Sequence, residues 1–160
     1  MTMNEFFVSS LKQNLDFIKM HLADLSDADL LVRPVPGANH ANWQMGHLIV
    51  SELQMVTTNG GKGIELPAGF ADRYNKEASK IDDASKFATK ADLLAQLDRV
   101  RAASVAWAQA LTPQQLDAPS SFPQFCPTIA HMVNLVIGHV LMHGGQIQVL
   151  RRKLGKPILF

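Results

Sequence analysis

The stretch TIAHMVNLVIGHVLMHGGQIQVLRRKLGKP, residues 128–157, predicts the longest and most buried helix of the chain. Thr128 is a residue type that favours helix N-termini, and the apolar run that follows continues to Leu154. Gly155 then ends the helix, and Pro157 cannot continue it. This helix is the last of four that the sequence predicts.

Three further helices are indicated upstream by apolar residues at steps of three and four. Their predicted ranges are residues 4–23, about 41–58, and 89–111 with Thr89 as the N-cap. Residues 59–89 are rich in glycine and charge, which fits a long excursion with one short helix in it. Such a length permits a crossover. The sequence therefore predicts an all-α four-helix bundle with a long crossover connection between helices two and three, as a single domain over residues 1–160.

Composition and charge restrict the class of protein. The chain has 160 residues, 47% of them apolar and 18% charged, which is typical of a globule with an apolar core. The net charge of +1 gives no field that would recruit nucleic acid. No apolar run reaches the length of a membrane span, and the N-terminus has no signal-peptide pattern. We therefore expect a cytoplasmic protein, and the single cysteine, Cys126, suits a reducing compartment.

Histidines are the candidate metal ligands. His139 and His143 are four residues apart on the last helix, so their side chains share one face and can reach the same ion. Two imidazoles on one helix make a weak site, and a third ligand is needed. His47 is the best candidate, because it lies in the middle of helix two among apolar residues. The remaining histidines lie too far along the helix axis or at helix ends and loops: His21, His40 and His131.

The residues alone leave another interpretation equally open. Buried histidines are commonly core residues whose ring nitrogens bond to backbone or hydroxyl groups. A weak internal repeat adds to the metal hypothesis, since GHLIVS at 46–51 resembles GHVLMH at 138–143. An approximate twofold relation would bring the two Gly-His pairs together. A glycine costs roughly 1 kcal/mol in a helix interior, so Gly46 and Gly138 suggest close approach of helix backbones.

Two segments resemble a known family. WQMGHLIVSE at 43–52 and GHVLMHGGQIQVLRRKLGKP at 138–157 are similar to the signature segments of the DinB/YfiT-like superfamily, and the similarity spans the chain in helix order. The resemblance implies a four-helix bundle, commonly a homodimer. It also implies a divalent transition-metal cofactor, often nickel or zinc, bound by His47, His139 and His143.

The chemistry of such a site favours catalysis. Three neutral imidazoles leave the ion its full charge and leave coordination positions open, which is typical of a catalytic site. An ion held in this way can lower the pKa of a thiol or of water. The sequence argues against a zincin-type peptidase, because Val140 follows His139 and no acid lies between the two histidines.

The resemblance implies several functions, because the family contains thiol-dependent S-transferases, a thiol-dependent isomerase and members of unknown role. We favour a metal-dependent enzyme that acts on a small-molecule substrate with a low-molecular-weight thiol, similar to the S-transferases. One alternative is a non-catalytic metal-binding or stress-associated module, since the sequence displays no clear acid or base near the histidines. The other is a metal-assisted hydrolase, which needs a proton-handling residue that the sequence does not reveal.

Three more residues are candidates for supporting roles. Gln146 lies on the same helix face as the histidine pair and can bond a metal ligand or orient a histidine. Trp43, one turn before His47, can wall a substrate pocket, and Arg151 can hold a carboxylate of a thiol. Each also has a structural interpretation: an interhelical hydrogen bond for Gln146, core packing for Trp43, and a favourable charge at the helix C-terminus for Arg151.

Overall fold

Four long helices and two short ones form most of the computed structural model, which describes residues 1–159. In chain order they are α1 (Met3–Leu22), α2 (Asp27–Leu30), α3 (Ala41–Thr58), α4 (Lys90–Ala110), α5 (Pro113–Asp117) and α6 (Ile129–Lys153). Within this range there is no β-strand. No helix among residues 1–159 combines the length and apolarity that crossing a bilayer requires. The predicted all-α four-helix bundle is confirmed, and the long helices lie where the apolar periodicity places them.

The two short helices lie in stretches that the sequence predicts to be connections between the long helices. Each begins with a reciprocal capping box, in which Ser26 pairs with Asp29 and Thr112 pairs with Gln115. These boxes satisfy backbone N–H groups that a helix start leaves without partners. Helices of four or five residues are too short to show a helical period, so their caps are the only sequence signal that they leave.

The long helices form a square in which α1 and α3 each pack against both α4 and α6. Hydrogen bonds between helices give their directions. Lys90, at the start of α4, donates to the Leu22 carbonyl at the end of α1 (2.8 Å), so these two helices are antiparallel. Arg151, near the end of α6, donates to the His21 carbonyl (3.0 Å), so α6 runs parallel to α1. Helices α3 and α4 run parallel to each other. Because the end of α3 and the start of α4 therefore lie at opposite ends of the bundle, the connection between them has to return along its whole length.

That return is the predicted crossover, residues 59–89, which contains three short 3-10 turns. Its best-anchored residue is Tyr74, whose hydroxyl donates to Asn42 (3.2 Å) and accepts from the Ala88 N–H (2.9 Å). The Tyr74 ring lies on Gly46, where an added Cβ would be only 2.0 Å from the ring. The glycine before His47 is therefore required by a side chain of the crossover, and not by a neighbouring helix backbone. Gly138 has no such contact, since nothing lies within 4 Å of its added Cβ.

A buried polar group divides the core into two apolar clusters. Glu52 of α3 accepts from Arg101 (2.7 Å) and from Ser104 (2.6 Å), both on α4, and Arg101 also donates to the Leu11 carbonyl of α1 (2.7 Å). All three polar side chains are almost completely buried. The group ties three helices together one turn beyond His47 and keeps α3 in a fixed register against α4.

Candidate metal centre

Helices α3 and α6 bring His47, His139 and His143 into one cluster. One ring nitrogen from each lies within 4.8 Å of the other two. The closest pair is Nε2 of His139 and Nε2 of His143, at 3.2 Å. Two nitrogens bound to one ion at about 2.1 Å are separated by roughly 3.0–3.4 Å for angles between square and tetrahedral. The spacing of the α6 pair therefore fits a shared divalent ion.

The tautomer of His143 is set by a residue of α3. Gln44 donates its amide N–H to the Asn39 carbonyl (2.7 Å), which leaves its oxygen as an acceptor. That oxygen lies 3.0 Å from Nδ1 of His143, so Nδ1 must carry the proton and donate it. Nε2 of His143 is then unprotonated, and its lone pair is directed into the cluster. A partner of this kind commonly fixes a metal-binding histidine and raises its basicity.

His47 is oriented by two residues of its own helix. Its Nδ1 lies 3.3 Å from the Ser51 hydroxyl, one turn further along α3. Trp43, one turn earlier, stacks on the His47 ring with 4.9 Å between centroids and 6° between planes. The indole in turn donates to the Asn75 carbonyl of the crossover (2.9 Å), so the plane against which His47 stacks is itself fixed.

Burial keeps the three imidazoles neutral. Desolvation lowers the pKa of His139 and of His143 to about 4, with a smaller contribution from the charge that neighbouring histidines would carry. Desolvation also lowers the pKa of His47. At neutral pH the cluster therefore offers three uncharged ligands, the form in which imidazole binds metal ions.

These shifts predict how the stability of the metal-free protein depends on pH. The unfolded chain takes up protons near pH 6.5, whereas folded His139 and His143 remain neutral to about pH 4. The unfolded state therefore binds more protons in this window, and the free energy of unfolding should fall as the pH falls from 6.5 to 4.5. Each unit of pKa difference corresponds to about 1.4 kcal/mol. Urea denaturation at a series of pH values measures the slope.

The matched variant for this measurement carries His139→Gln and His143→Gln together. Its slope should be shallower but not zero, because burial also lowers the pKa of His40. Equal slopes in the two proteins would contradict the prediction.

An open groove of about 520 Å³ adjoins the cluster. His47 and His139 line one end of it, and Thr58, Ser121 and Phe122 line the other. Since 11 residues of α3 separate His47 from Thr58, the groove runs roughly 16 Å along the helix. Solvent and small molecules can therefore reach the histidines from one side, which a purely structural metal site does not need.

The three candidates for supporting roles lie at different distances from the cluster. Gln146 is exposed on α6, one turn after His143, and its amide opposes the fall in the pKa of that histidine. Trp43 is buried against His47 and is not part of the groove lining. Arg151 is two turns beyond His143, where its buried guanidinium pairs with Asp24 and donates to backbone carbonyls. The structure thus brings Trp43 and Gln146 to the histidines but not Arg151.

The other histidines have structural partners. His40 is the N-cap of α3, with Nδ1 accepting from the Trp43 N–H (3.0 Å) and Nε2 donating to the Ile81 carbonyl (3.1 Å). His21 bonds to the Phe17 carbonyl (2.8 Å), and His131 bonds to the Thr128 hydroxyl (2.8 Å). The interpretation as core histidines with their own partners therefore describes His21 and His40, which are buried, whereas His131 is exposed.

Sequence reasoning missed Gln44 and the far wall of the groove. Ser51 had a detectable signal, since it follows His47 by one helical turn and takes the place of His143 in the internal repeat. Gln44 had none, because its partner is 99 residues away in sequence. Ser121 and Phe122 belong to an irregular segment whose position depends on the packing of α5 and α6.

The chain is similar in fold to two solved structures. A conserved protein from Enterococcus faecalis matches with a TM-score of 0.76 and 18% identity, covering 98% of this chain and 99% of that chain. YfiT from Bacillus subtilis, described as a probable metal-dependent hydrolase with an unusual four-helix bundle topology, matches with a TM-score of 0.67 and 19% identity. That match covers 96% of this chain and 89% of the Bacillus protein.

Sequence comparison gives the family. No curated protein matches the chain significantly. The family model of the DinB superfamily matches residues 10–147, well over half of the chain. The match includes both the α3 segment and the histidine pair of α6, so the chain belongs to the DinB superfamily.

Proposed function

We propose that this protein is a metal-dependent enzyme whose divalent transition-metal ion is bound by His47, His139 and His143. The observation that carries the proposal is the convergence of three neutral imidazoles at the end of an open groove. Imidazole ligands suit zinc and nickel, and we propose one of these as the native ion. The description of the Bacillus protein as probably metal-dependent agrees with this assignment.

We further propose that the reaction is S-transfer from a low-molecular-weight thiol to a small electrophile. When bound, the ion would lower the pKa of the thiol and so supply a thiolate near neutral pH. The sulfur then forms a bond to an electrophilic carbon, the leaving group departs with its electron pair, and the thiol proton passes to solvent. A reducing cytoplasm, which keeps such thiols reduced, is the location that we propose.

The lining of the groove favours a thiol over water as the nucleophile. A thiol has an ordinary pKa near 8.5 and needs only a modest shift, whereas water starts from about 15.7. Activation of water usually also needs a residue that moves a proton. Among the residues that the structure describes, no carboxylate, lysine or arginine lines the groove. Hydrolysis is the second candidate, and it is supported by the description of the Bacillus protein alone.

Turnover by the metal-loaded protein distinguishes these functions. Zinc- and nickel-loaded samples are assayed with glutathione, bacillithiol and mycothiol against a chromogenic electrophile, and in parallel with ester, amide and phosphate substrates. Metal-dependent turnover with at least one thiol is the expected result. Turnover of the hydrolytic substrates alone would replace the transferase assignment, and no turnover at all would favour the non-catalytic metal-binding alternative.

Gln44 is expected to set the affinity of the site for metal. In Gln44→Leu, Nδ1 of His143 loses the oxygen that fixes its proton, so either nitrogen can carry it. Loss of such a partner typically weakens metal binding 10- to 100-fold. Isothermal titration with zinc measures the change. The control is Gln54→Leu, which alters the glutamine of α3 that lines the groove. This variant should bind zinc with an affinity within about twofold of that of the native protein.

We also propose a homodimer in which α6 packs against α6 of a second copy. Gly138, Met142, Gly145 and Val149 form a stripe on its outer face, and Met142 is 53% exposed. An added Cβ at either glycine would meet nothing within 4 Å, so a second helix can approach closely. Sedimentation equilibrium should show a dimer for the native chain and a monomer for Met142→Glu. A native chain that stays monomeric up to 100 μM would exclude this interface.

A further inference from the structure

We infer that the groove beside the histidines binds an uncharged, largely apolar small molecule, and that this molecule is the electrophilic substrate. The inference rests on the proposed function for the role of the ligand, but the character of the groove follows from its lining. One end of the groove is formed by His47 and His139. A ligand held along its length therefore has one end beside the candidate metal site.

The side chains that line the groove offer no counter-charge to an ionised ligand. Apart from the two histidines, its lining within residues 1–159 is apolar or carries neutral hydroxyl and amide groups: Ser51, Gln54, Met55, Thr58, Ser121, Phe122, Met132 and Leu135. The nearest acid on α3, Glu52, is directed to the other side of the helix and is paired with Arg101. An ionised ligand would lose hydration along the groove without gaining an ion pair with any side chain of the lining.

The three hydroxyl groups of the lining already have hydrogen-bond partners, which leaves the exposed Gln54 as its remaining neutral polar side chain. The Ser51 hydroxyl lies 3.3 Å from Nδ1 of His47. The hydroxyls of Thr58 and Ser121 are hydrogen-bonded to each other at 3.0 Å. Few hydrogen bonds therefore remain to be made by a ligand, and contact with the sulfur, aromatic and branched side chains of the groove dominates its binding.

Two aromatic rings extend the groove at the end away from the histidines. Phe122 stacks on Phe125 with 5.0 Å between centroids and 19° between planes, and Phe125 is 77% exposed. Their loop is held in place, since Ser121 donates its backbone N–H to Asn59 at the end of α3 (2.8 Å). A fixed, exposed aromatic pair that continues an apolar groove is typical of a surface that a ligand covers.

The proposed reaction has two substrates, and the groove is suited to only one of them. The thiols of the proposed reaction, such as glutathione, carry ionised groups for which the groove has no oppositely charged side chain. The sulfur can reach the histidine end while the charged part of the thiol stays in solvent. The electrophile occupies the groove, with its reactive carbon towards His47 and His139 and its apolar part towards Phe122.

Methionine methyl groups provide a direct test in the metal-free full-length protein. Met55 and Met132 line the groove, whereas Met20 lies on α1 and serves as a reference. Protein labelled with ¹³C at the methionine methyls is titrated with hexan-1-ol, hexanoate and hexylammonium at pH 7. We expect hexan-1-ol to shift Met55 and Met132 but not Met20, with at least tenfold tighter binding than either ion.

Three outcomes would overturn the inference. The first is binding of hexanoate or hexylammonium that is as tight as binding of hexan-1-ol or tighter. The second is no shift of the Met55 and Met132 signals with hexan-1-ol. The third is a shift of these signals that depends on protein concentration instead of on the alcohol. The last would show that a second copy of the chain covers the groove.

A charge introduced into the groove gives a second test. Leu135 is partly exposed, so Leu135→Lys can be accommodated by the fold. This variant should bind hexanoate at least as tightly as hexan-1-ol, whereas Leu135→Gln should keep the preference for the alcohol. An unchanged preference in Leu135→Lys would contradict the electrostatic argument.

A separate cobalt(II) titration tests the metal site. Absence of d–d absorption bands would overturn the proposed function, while the methyl shifts of the metal-free protein would still decide the character of the groove.

Discussion

Replacing His143 with alanine is expected to weaken binding of a divalent ion by more than 100-fold. His143 is buried, its tautomer is fixed by Gln44, and its Nε2 lies 3.2 Å from that of His139. The variant removes a ligand itself, so its effect should exceed the 10- to 100-fold typical of losing a hydrogen-bond partner. The two remaining imidazoles come from different helices, and nothing else in the cluster replaces the lost nitrogen.

Elemental analysis after dialysis against a defined zinc buffer measures this loss. The matched control is His131→Ala, which removes an exposed histidine from the same helix and should keep full occupancy. Stability gives an independent readout, since an ion at 100 times its Kd should stabilise the native protein by about 2.7 kcal/mol. This gain should be present in the control and absent in His143→Ala. Equal occupancy in the two variants would refute the three-histidine site.

Arg101→Ala is expected to be the most destabilising single replacement in the core, at about 3–5 kcal/mol. The replacement leaves the Glu52 carboxylate buried without its cation and removes the side-chain hydrogen bond to the Leu11 carbonyl. Ser104 still donates to Glu52, but one neutral hydroxyl does not replace a guanidinium. Because native domains are stable by roughly 5–15 kcal/mol in total, this loss is a large fraction of the whole. Urea denaturation at pH 7 measures it.

Two further proteins separate the ion pair from general effects of the helix. Arg99→Ala removes an exposed arginine two residues earlier and should cost less than about 1 kcal/mol. The double replacement Glu52→Leu with Arg101→Met removes both charges and should recover most of the stability lost in Arg101→Ala. A double variant that is no more stable than Arg101→Ala would show that packing around the guanidinium, and not the unpaired carboxylate, causes the loss.

The long helices could be predicted from the sequence because each buries one face, and burial of one face leaves a period of three and four residues. The crossover was predictable only as a length, since residues 59–89 lack a period and their course depends on contacts such as Tyr74 on Gly46. The arrangement of the helices was not predictable from periodicity. The starts of α3 and α4 meet where Asn42 donates to the Ala88 carbonyl, and Glu52 pairs with Arg101 further along, so the parallel packing depends on contacts between residues 46 and 49 positions apart.

The candidate site was predictable in part. The α6 pair follows from a spacing of four on one helix, and His47 follows from its apolar surroundings and from the family resemblance. The roles of Trp43 and Gln44 depend on which way α3 faces α6, and that orientation cannot be inferred from one helix alone. For Arg151 the prediction from the sequence does not match the fold. A cation near a helix end can hold a carboxylate of a ligand, but Arg151 is paired with Asp24 at the far end of the bundle.

The separation of the histidines along the chain has a consequence for biosynthesis. Helix α6 contains 25 residues and is translated after the other five helices, whereas His47 is translated with α3. A nascent polypeptide therefore carries one of the three candidate ligands and lacks the other two until α6 has been translated. Termination anywhere before α6 yields a product that lacks both remaining imidazoles, so retention of the ion would mark a chain that has been synthesised at least as far as His143.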